Sequence, residues 1–373
     1  MNLPVSMAGQ AFSTVRLARV EDKPAASDRV IDVALLDMNH EFPNLGHDSV
    51  VQTIACIAGM LAPVLEPAGM AVRVVSYPVR NRLLVPEADD RQFVIVVGTG
   101  GPGHIDPYEN DGLAVFSQGV KEDPTWEARF QRLLAAIRGD PGRSMIAICH
   151  SFGLVCRWAK VAKPTLRGPE KGGKSAGVHE NVLTDEALAH PWFSRLSSEL
   201  PDGRHLRIAD SRLFDLIPLP AGFPEGVTPL GYESRKDGTP GDALTMIELA
   251  RDRNGVMPRM LAVNHHPEIY DLSLQRELMA EKLARGEVTK QWYDERHDTI
   301  GELLSPEASR HLVLTSRYTL ICPLAFYIFR AARERMEALG LPPAVHEDQV
   351  MAKDFVAERR RVPRGPDIDG FPV

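Results

Sequence analysis

The sequence is poor in cysteine and in long apolar runs, and each shortage argues against particular classes of protein. Four cysteines occur in 373 residues, and no two form a CxxC pair. This argues against a disulfide scaffold or a thiolate metal site and favours a reducing compartment. The longest apolar stretch, 318–329, is shorter than the ~18 residues of a membrane-spanning helix. Because residues 1–29 also lack the apolar segment of a signal peptide, we expect a cytoplasmic protein with no membrane partner.

Signals for nucleotides, nucleic acids and metals are also missing. The formal net charge is −7 and no dense Lys/Arg block occurs, which argues against a nucleic-acid partner. The glycine-rich run 98–103 neither opens a helix as G-x-G-x-x-G nor ends as a P-loop. His104, Asp106 and Glu109 follow it without the spacing of metal ligands. We therefore expect no metal and no other cofactor.

The chain does have a regular alternation of apolar strands and helices. Short apolar runs predict strands at residues 30–37, 70–77, 93–97 and 144–148. Helical spacing predicts helices at 48–65, 126–138 and 152–163. This order is typical of an α/β fold with a doubly wound, mostly parallel sheet. In such sheets ligands bind at the carboxyl ends of the strands.

The remainder of the chain has a different character. Residues 165–260 hold short β-like runs between Gly/Pro turns, and helical patterns follow at 272–285, 290–304 and 324–339. The apolar stretch 318–329 is interpreted as a buried helix or a homodimer contact. The predicted segments are a flexible leader over 1–28, the α/β domain over 29–271, a C-terminal helical extension over 272–345 and a polar tail over 346–373.

One cysteine directly follows the fourth strand. Cys149 precedes a predicted helix and has small neighbours at Ser151 and Gly153. A nucleophile on a tight strand-to-helix turn needs such small neighbours, and a helix N-terminus favours a thiolate. Taken alone, the pattern fits a buried structural cysteine equally well.

Two further motifs fall at strand ends. Gly100 and Gly101 could let backbone N–H groups approach a ligand and stabilise an oxyanion, although an ordinary turn has the same composition. In the His-His-Pro-Glu run 265–268, His266 could act as a base and Glu268 could orient it. His265 is an alternative base.

In this order the three motifs resemble the class I glutamine amidotransferase superfamily, over roughly residues 30–271. The resemblance implies a flavodoxin-like layering and a Cys-His-Glu triad that forms a thioester. It implies roles for the following residues: Cys149 as nucleophile, His266 as base, Glu268 as its partner, and the N–H groups near Gly100 and Gly101 and at His150 as the oxyanion and substrate-binding site. The segments 171–178 and 210–215 are similar to the strand after the elbow helix and to a segment near the pocket.

The chain departs from the family pattern around its cysteine. The family usually has glycine at the positions of Ala147 and Ser151, and at that of Gly153 the glutamine that holds the substrate. A weaker resemblance links Tyr270 and Asp271, shortly after the triad motif, to homoserine O-acyltransferases. In those enzymes an arginine grips the amino acid carboxylate, and the candidates here are Arg276 and Arg285.

We therefore predict a glutaminase-like enzyme that acts on a small-molecule amide or acyl substrate. It would pass ammonia or an acyl group to a biosynthetic acceptor, which could be carried by a synthetase subunit. Two alternatives stay open. One is an O-acyltransferase of the homoserine acyltransferase type, and the other is a catalytically altered binding or regulatory subunit.

Overall fold

A computed structural model describes residues 11–171, 173–302 and 306–341. Within these ranges twelve strands form one sheet with helices on both faces. The strands are β1 Phe12–Arg16, β2 Val30–Asp37, β3 Ala71–Pro78, β4 Phe93–Gly98, β5 Ser144–Ile148, β6 Ala162–Leu166, β7 Ser175–Leu183, β8 His205–Arg212, β9 Phe214–Pro218, β10 Thr228–Ser234, β11 Pro240–Arg251 and β12 Pro258–Val263. The helices are α1 Gly46–Leu65, α2 Val79–Arg82, α3 Glu127–Gly139, α4 His150–Trp158, α5 Asp185–Ala189, α6 Phe193–Glu199, α7 Leu272–Ala284, α8 Lys290–Glu302, α9 Pro306–Ser316 and α10 Cys322–Ala338.

The first half of the sheet is parallel. Strands β1, β3, β2, β4, β5 and β12 lie side by side in that order. Alternate residues face opposite layers: Val33 packs in the cluster that contains α1 and α10, whereas Ala34 packs in the cluster that contains α3 and α4. Burial on both faces explains why these strands are almost continuously apolar. The predicted α/β class, with its doubly wound sheet, is confirmed.

The second half of the sheet is antiparallel. From β12 the order continues through β11, β10, β7 and β8, and the antiparallel pair of β6 and β9 joins at β11. The short β-like runs of the sequence are the buried parts of these longer strands. The helix predicted at 152–163 ends at Trp158, because Lys160 takes a left-handed φ of 55° and the chain enters β6.

The predicted leader is corrected for part of its length. Phe12–Arg16 forms β1, an edge strand that pairs with β3, and Leu17 after it is buried. The strand was missed because its five residues alternate only weakly and carry no turn signal of their own. Residues 1–10 and the predicted tail 346–373 lie outside the described residues, and the division into domains stays a prediction.

The C-terminal helices belong to the body of the fold. Helix α10 packs on α1, β2 and β4, and the stretch 318–329 is largely buried there, as one of its two interpretations required. A π-helical turn, Arg317–Ile321, joins α9 to α10. The helices at 46–65 and 308–338 are long and apolar enough to cross a membrane by composition, contrary to the expectation from single apolar runs. Most of their residues are buried against the sheet, as in core helices of globular folds.

Candidate functional site

Cys149 occupies a strained elbow between β5 and α4. Its φ of 49° and ψ of −100° lie outside the regions that L-residues normally adopt. The Cys149 N–H donates to the carbonyl of Val263 at 2.8 Å, which ties the elbow to the end of β12. The thiol lines a cavity of about 620 Å³. A non-glycine residue held in such a conformation indicates a functional constraint.

His266 and Glu268 form a buried pair beside this cavity. Nδ1 of His266 lies 2.8 Å from Oε1 of Glu268, whose side chain is almost fully buried. The His266 N–H donates to the carbonyl of Ala209 at 2.8 Å, so the antiparallel half also fixes this motif. Burial lowers the pKa of His266, but the charges of Glu268 and Cys149 outweigh it and raise that pKa well above its usual range. The imidazole is thus held as a cation next to the sulfur.

The neighbouring His265 has a different environment. Its Nε2 lies 3.3 Å from Oγ1 of Thr319 in the π-helical turn. Burial, helped by the charges of His266 and Arg212, lowers the pKa of His265 to about 3. Of the two candidate bases, His266 is the one that pairs with a carboxylate and lines the cavity.

The glycine-rich loop meets the cysteine and the histidine. A Cβ at Gly100 would lie 2.9 Å from Cε1 of His266 and 3.4 Å from Cβ of Cys149. A Cβ at Gly101 would lie 2.1 Å from the carbonyl oxygen of Met38, so this loop packs against the end of β2. His150 is the first residue of α4, where helical N–H groups have no intrahelical acceptor. The structure thus brings the six predicted site residues to one place, and their individual roles stay predictions.

A buried arginine holds the glycine-rich loop in place, and sequence reasoning missed it. Arg80 donates from Nη1 to the carbonyl oxygens of Met38 at 2.9 Å and Pro102 at 2.6 Å. Its other nitrogens form a two-pronged pair with Glu122, 2.7 Å in each case, and both side chains are fully buried. A pair separated by 42 positions leaves no local pattern that could have revealed it.

Ile105 fills the space beside the elbow helix. A Cβ at Gly153 would lie 2.7 to 3.0 Å from three carbon atoms of Ile105. Gly153 is the position at which the resembled family carries its substrate-holding glutamine. A longer side chain there requires Ile105 to move, which gives the departure from the family pattern a steric reason.

The cavity walls come from several elements. Asn39 and Phe42 line it, as do residues 209–214, in accord with the expectation that 210–215 lies near the pocket. Helix α8 contributes Trp292, Arg296 and Ile300, which sequence reasoning did not assign to the site. Lys174 and Ala176, in the predicted strand region 171–178, also reach it.

Other candidates lie elsewhere. His104 packs edge-on against Phe214, and Asp106 pairs with Arg157 at 2.9 Å. No cluster of three or more His, Cys, Asp or Glu side chains that could hold a metal occurs among the described residues. Arg276 and Arg285 are not among the residues that line the cavity within the described ranges.

Comparisons with known proteins add little to this geometry. No protein-family model and no curated protein matches the chain. One similar solved structure is a protein from Thermoplasma acidophilum assigned as a component of GMP synthase, with a TM-score of 0.35, 11% identity and coverage of 72% of this chain and 93% of that one. Another is a ThuA-like protein from Bacteroides uniformis, with a TM-score of 0.35, 10% identity and coverage of 67% and 87%. Similarities this low carry no argument, and the site stands on its own residues.

Proposed function

We propose that this chain is a cysteine-dependent enzyme that hydrolyses a glutamine-type amide through a thioester on Cys149. The observation that carries the proposal is the meeting of three distant motifs: Gly100 lies against both Cys149 and His266, and His266 pairs with Glu268. A cavity of about 620 Å³ opens at this point, large enough for a small-molecule substrate.

The chemistry follows from these positions. The Cys149 thiolate attacks the amide carbonyl carbon, and the carbonyl electrons move to the oxygen, which the N–H groups near Gly101 and at His150 stabilise. The C–N bond then breaks, and the leaving nitrogen takes the proton of His266 and departs as ammonia. Neutral His266 next removes a proton from water, and the hydroxide releases the acid and regenerates the thiolate. Ammonia then passes to a biosynthetic acceptor.

Intact mass spectrometry tests this function. The full chain is incubated with a diazo-ketone analogue of glutamine, and ammonia release from glutamine is measured in parallel. We expect one adduct, located on Cys149, and loss of both signals in Cys149→Ala. Cys156→Ala is the matched control, since Cys156 is a buried cysteine in the helix that follows Cys149, and it should retain both signals.

A second candidate function is transfer of an acyl group to a hydroxyl. The observation that favours it is Ile105, which occupies the space beside Gly153 where a glutamine-holding side chain would stand. In this case the diazo-ketone forms no adduct, whereas an acyl-CoA transfers its acyl group to the Cys149 sulfur with release of the CoA thiol. The acyl group then moves to the acceptor hydroxyl, and no ammonia forms. If Cys149 reacts with neither reagent and resists iodoacetamide, the catalytic proposal is wrong and the chain has a binding or regulatory role.

A further inference from the structure

The charged side chains that line the cavity do not balance. They are Lys174, Arg212, Arg296, Asp210 and Glu268, with His150 and His266 beside them. Glu268 is paired with His266 at 2.8 Å. Arg212 is surrounded by acids, with Asp210 at 3.3 Å, Asp215 at 3.1 Å and Glu233 at 2.7 Å. Arg167 and Lys171 also pair with these acids, so three cations meet three acids in this network and it is neutral. Lys174 and Arg296 are left to set the sign of the field in the cavity.

The two remaining cations are Lys174 and Arg296. Neither has an acidic partner within 4.0 Å in the part of the chain that the structure describes. Arg296 lies on α8 with its guanidinium 5.5 Å from the ring centre of Trp292, a contact that leaves its N–H edge available. Both side chains are exposed to solvent. Partial desolvation, together with the nearby charge of Arg296, lowers the pKa of Lys174, while the charge of Cys149 opposes that change. The two cations and the sulfur therefore share one electrostatic environment.

Buried polar atoms at the cavity floor also lack partners. Nδ1 of His150 and Nδ2 of Asn264 have no hydrogen-bond partner in the described structure, although both side chains are 2% exposed. Both residues line the cavity. Oδ1 of Asp210 and Oε2 of Glu268, in the same lining, are also without a partner among the described residues. Because buried polar groups are normally satisfied, these atoms together indicate a polar occupant. Asn264 Nδ2 is a donor, which suits an acceptor-rich group such as a carboxylate.

We propose that the cavity selects an anionic acyl substrate, whose carboxylate or phosphate group binds between Lys174 and Arg296 while its carbonyl reaches Cys149. This inference rests on the proposed function and names its substrate class. Trp292 and Ile300 give the carbon chain between the two ends an apolar wall. Amides with a net positive charge are disfavoured by the same field.

Charged thiol reagents of equal size test the field directly. Cys149 is labelled with anionic 2-sulfonatoethyl methanethiosulfonate and with cationic 2-(trimethylammonio)ethyl methanethiosulfonate, and labelling is located by peptide mapping. The anion-to-cation rate ratio is divided by the ratio for free cysteine. We expect this normalised ratio to be well above one at low salt and to fall as added salt screens the charges. Lys174→Met and Arg296→Met should each lower it by about fivefold.

Matched controls separate local from general charge. Lys236→Met and Arg253→Met remove exposed cations outside the cavity and should leave the ratio unchanged. The inference is overturned if the Lys174→Met/Arg296→Met double variant keeps the ratio of the unaltered chain. The ratio does not depend on turnover. If the diazo-ketone forms no adduct but the ratio has the expected value, the amidase function is rejected and the anion site is retained.

Protection experiments identify the anion. Labelling of Cys149 by neutral methyl methanethiosulfonate is measured with glutarate and, separately, with inorganic phosphate. Slower labelling in glutarate assigns a carboxylate substrate, and slower labelling in phosphate assigns a phosphorylated one. Either protection should be lost in the double variant. If neither anion slows the reaction, the proposed anion site is wrong.

Discussion

The two halves of the sheet serve the site in different ways. The parallel half, β1 to β5 with β12, presents the elbow, the glycine-rich loop and the histidine motif at strand ends, largely through backbone geometry. The antiparallel half, β6 to β11, presents a wall of side chains with a buried ion network centred on Asp215. The comparison teaches that the predicted site residues are fixed by strands and turns, whereas the antiparallel half adds charged side chains to the cavity wall.

Buried ion pairs give the largest contrast between the halves. In the parallel half Glu122 is the one acidic partner of Arg80 among the residues that the structure describes. Glu122→Gln therefore leaves a buried cation unpaired and should cost about 3–5 kcal/mol of unfolding free energy. In the antiparallel half Asp215→Asn should cost only about 1–3 kcal/mol, because Glu233 still pairs with Arg167 and Arg212. Denaturant unfolding measures both. Equal losses would show that the second network is no more redundant than the first.

His266 follows β12, and its backbone N–H donates to the carbonyl of Ala209 in β8, so this residue joins the two halves of the sheet. Because a free cysteine is only about 3% thiolate at pH 7 and the His266 cation favours a thiolate, His266→Gln should slow iodoacetamide alkylation of Cys149 at that pH by up to about 30-fold. The neighbouring control, His265→Gln, should be alkylated at the rate of the unaltered chain. Equal rates in His266→Gln and the unaltered chain would remove His266 from the ion pair.

The two adjacent histidines should also affect stability with opposite sign. His265 has a folded pKa of about 3, against about 6.5 in the unfolded chain. Below pH 6.5 the unfolded chain therefore binds a proton that the folded chain does not. The free energy of unfolding thus decreases as the pH is lowered, by about 2 kcal/mol at pH 5. The raised pKa of His266 contributes stability below pH 6.5 that is lost as pH rises through the folded value.

Urea unfolding at pH 7 and pH 5 measures this effect. His265→Gln should remove the loss between the two pH values, and it can retain a hydrogen bond to Thr319. His266→Gln should make the loss larger. The assignment fails if His265→Gln and the unaltered chain lose the same free energy between pH 7 and pH 5.

A pair of glycines gives the smallest effects. In Gly100→Ala the new Cβ would lie 2.9 Å from His266, so the imidazole must shift, and we expect alkylation of Cys149 to slow by about tenfold. Gly139 is in α3, and a Cβ at this position would have no other atom within 4 Å. Gly139→Ala should leave alkylation unchanged and stabilise the fold by about 0.5–1 kcal/mol. If Cys149 is alkylated at the same rate in both variants, the glycine-rich loop is not part of the site.

The sequence predicts the parallel half well. Strands at 30–37 and 144–148 are found at those bounds, because burial on both faces leaves an uninterrupted apolar signature. The elbow and the His-Pro-Glu motif can also be predicted from the sequence, since each is a short pattern at a strand end. The structure adds that a Cβ at Gly100 would lie 3.4 Å from Cys149 and 2.9 Å from His266, a proximity that order along the chain suggested but did not measure.

The antiparallel half and the cavity walls were not predictable in the same way. Strand β1 and the polar stretches of β7 and β10 lack a strong period, and tertiary pairing decides them. The contacts of Arg80 with Glu122, and of Gly153 with Ile105, join residues about 40 or more positions apart. The placement of α8 over the cavity depends on packing of Ile300 with α7, which composition cannot indicate.

The φ of 49° at Cys149 has a consequence for selection in the laboratory. A non-glycine residue in such a conformation costs roughly 1–3 kcal/mol, and glycine relieves most of that cost. A library of chains selected only for heat resistance should therefore replace Cys149 by glycine, and one selected for turnover should keep the sulfur. Selection for stability and selection for activity therefore favour different residues at position 149.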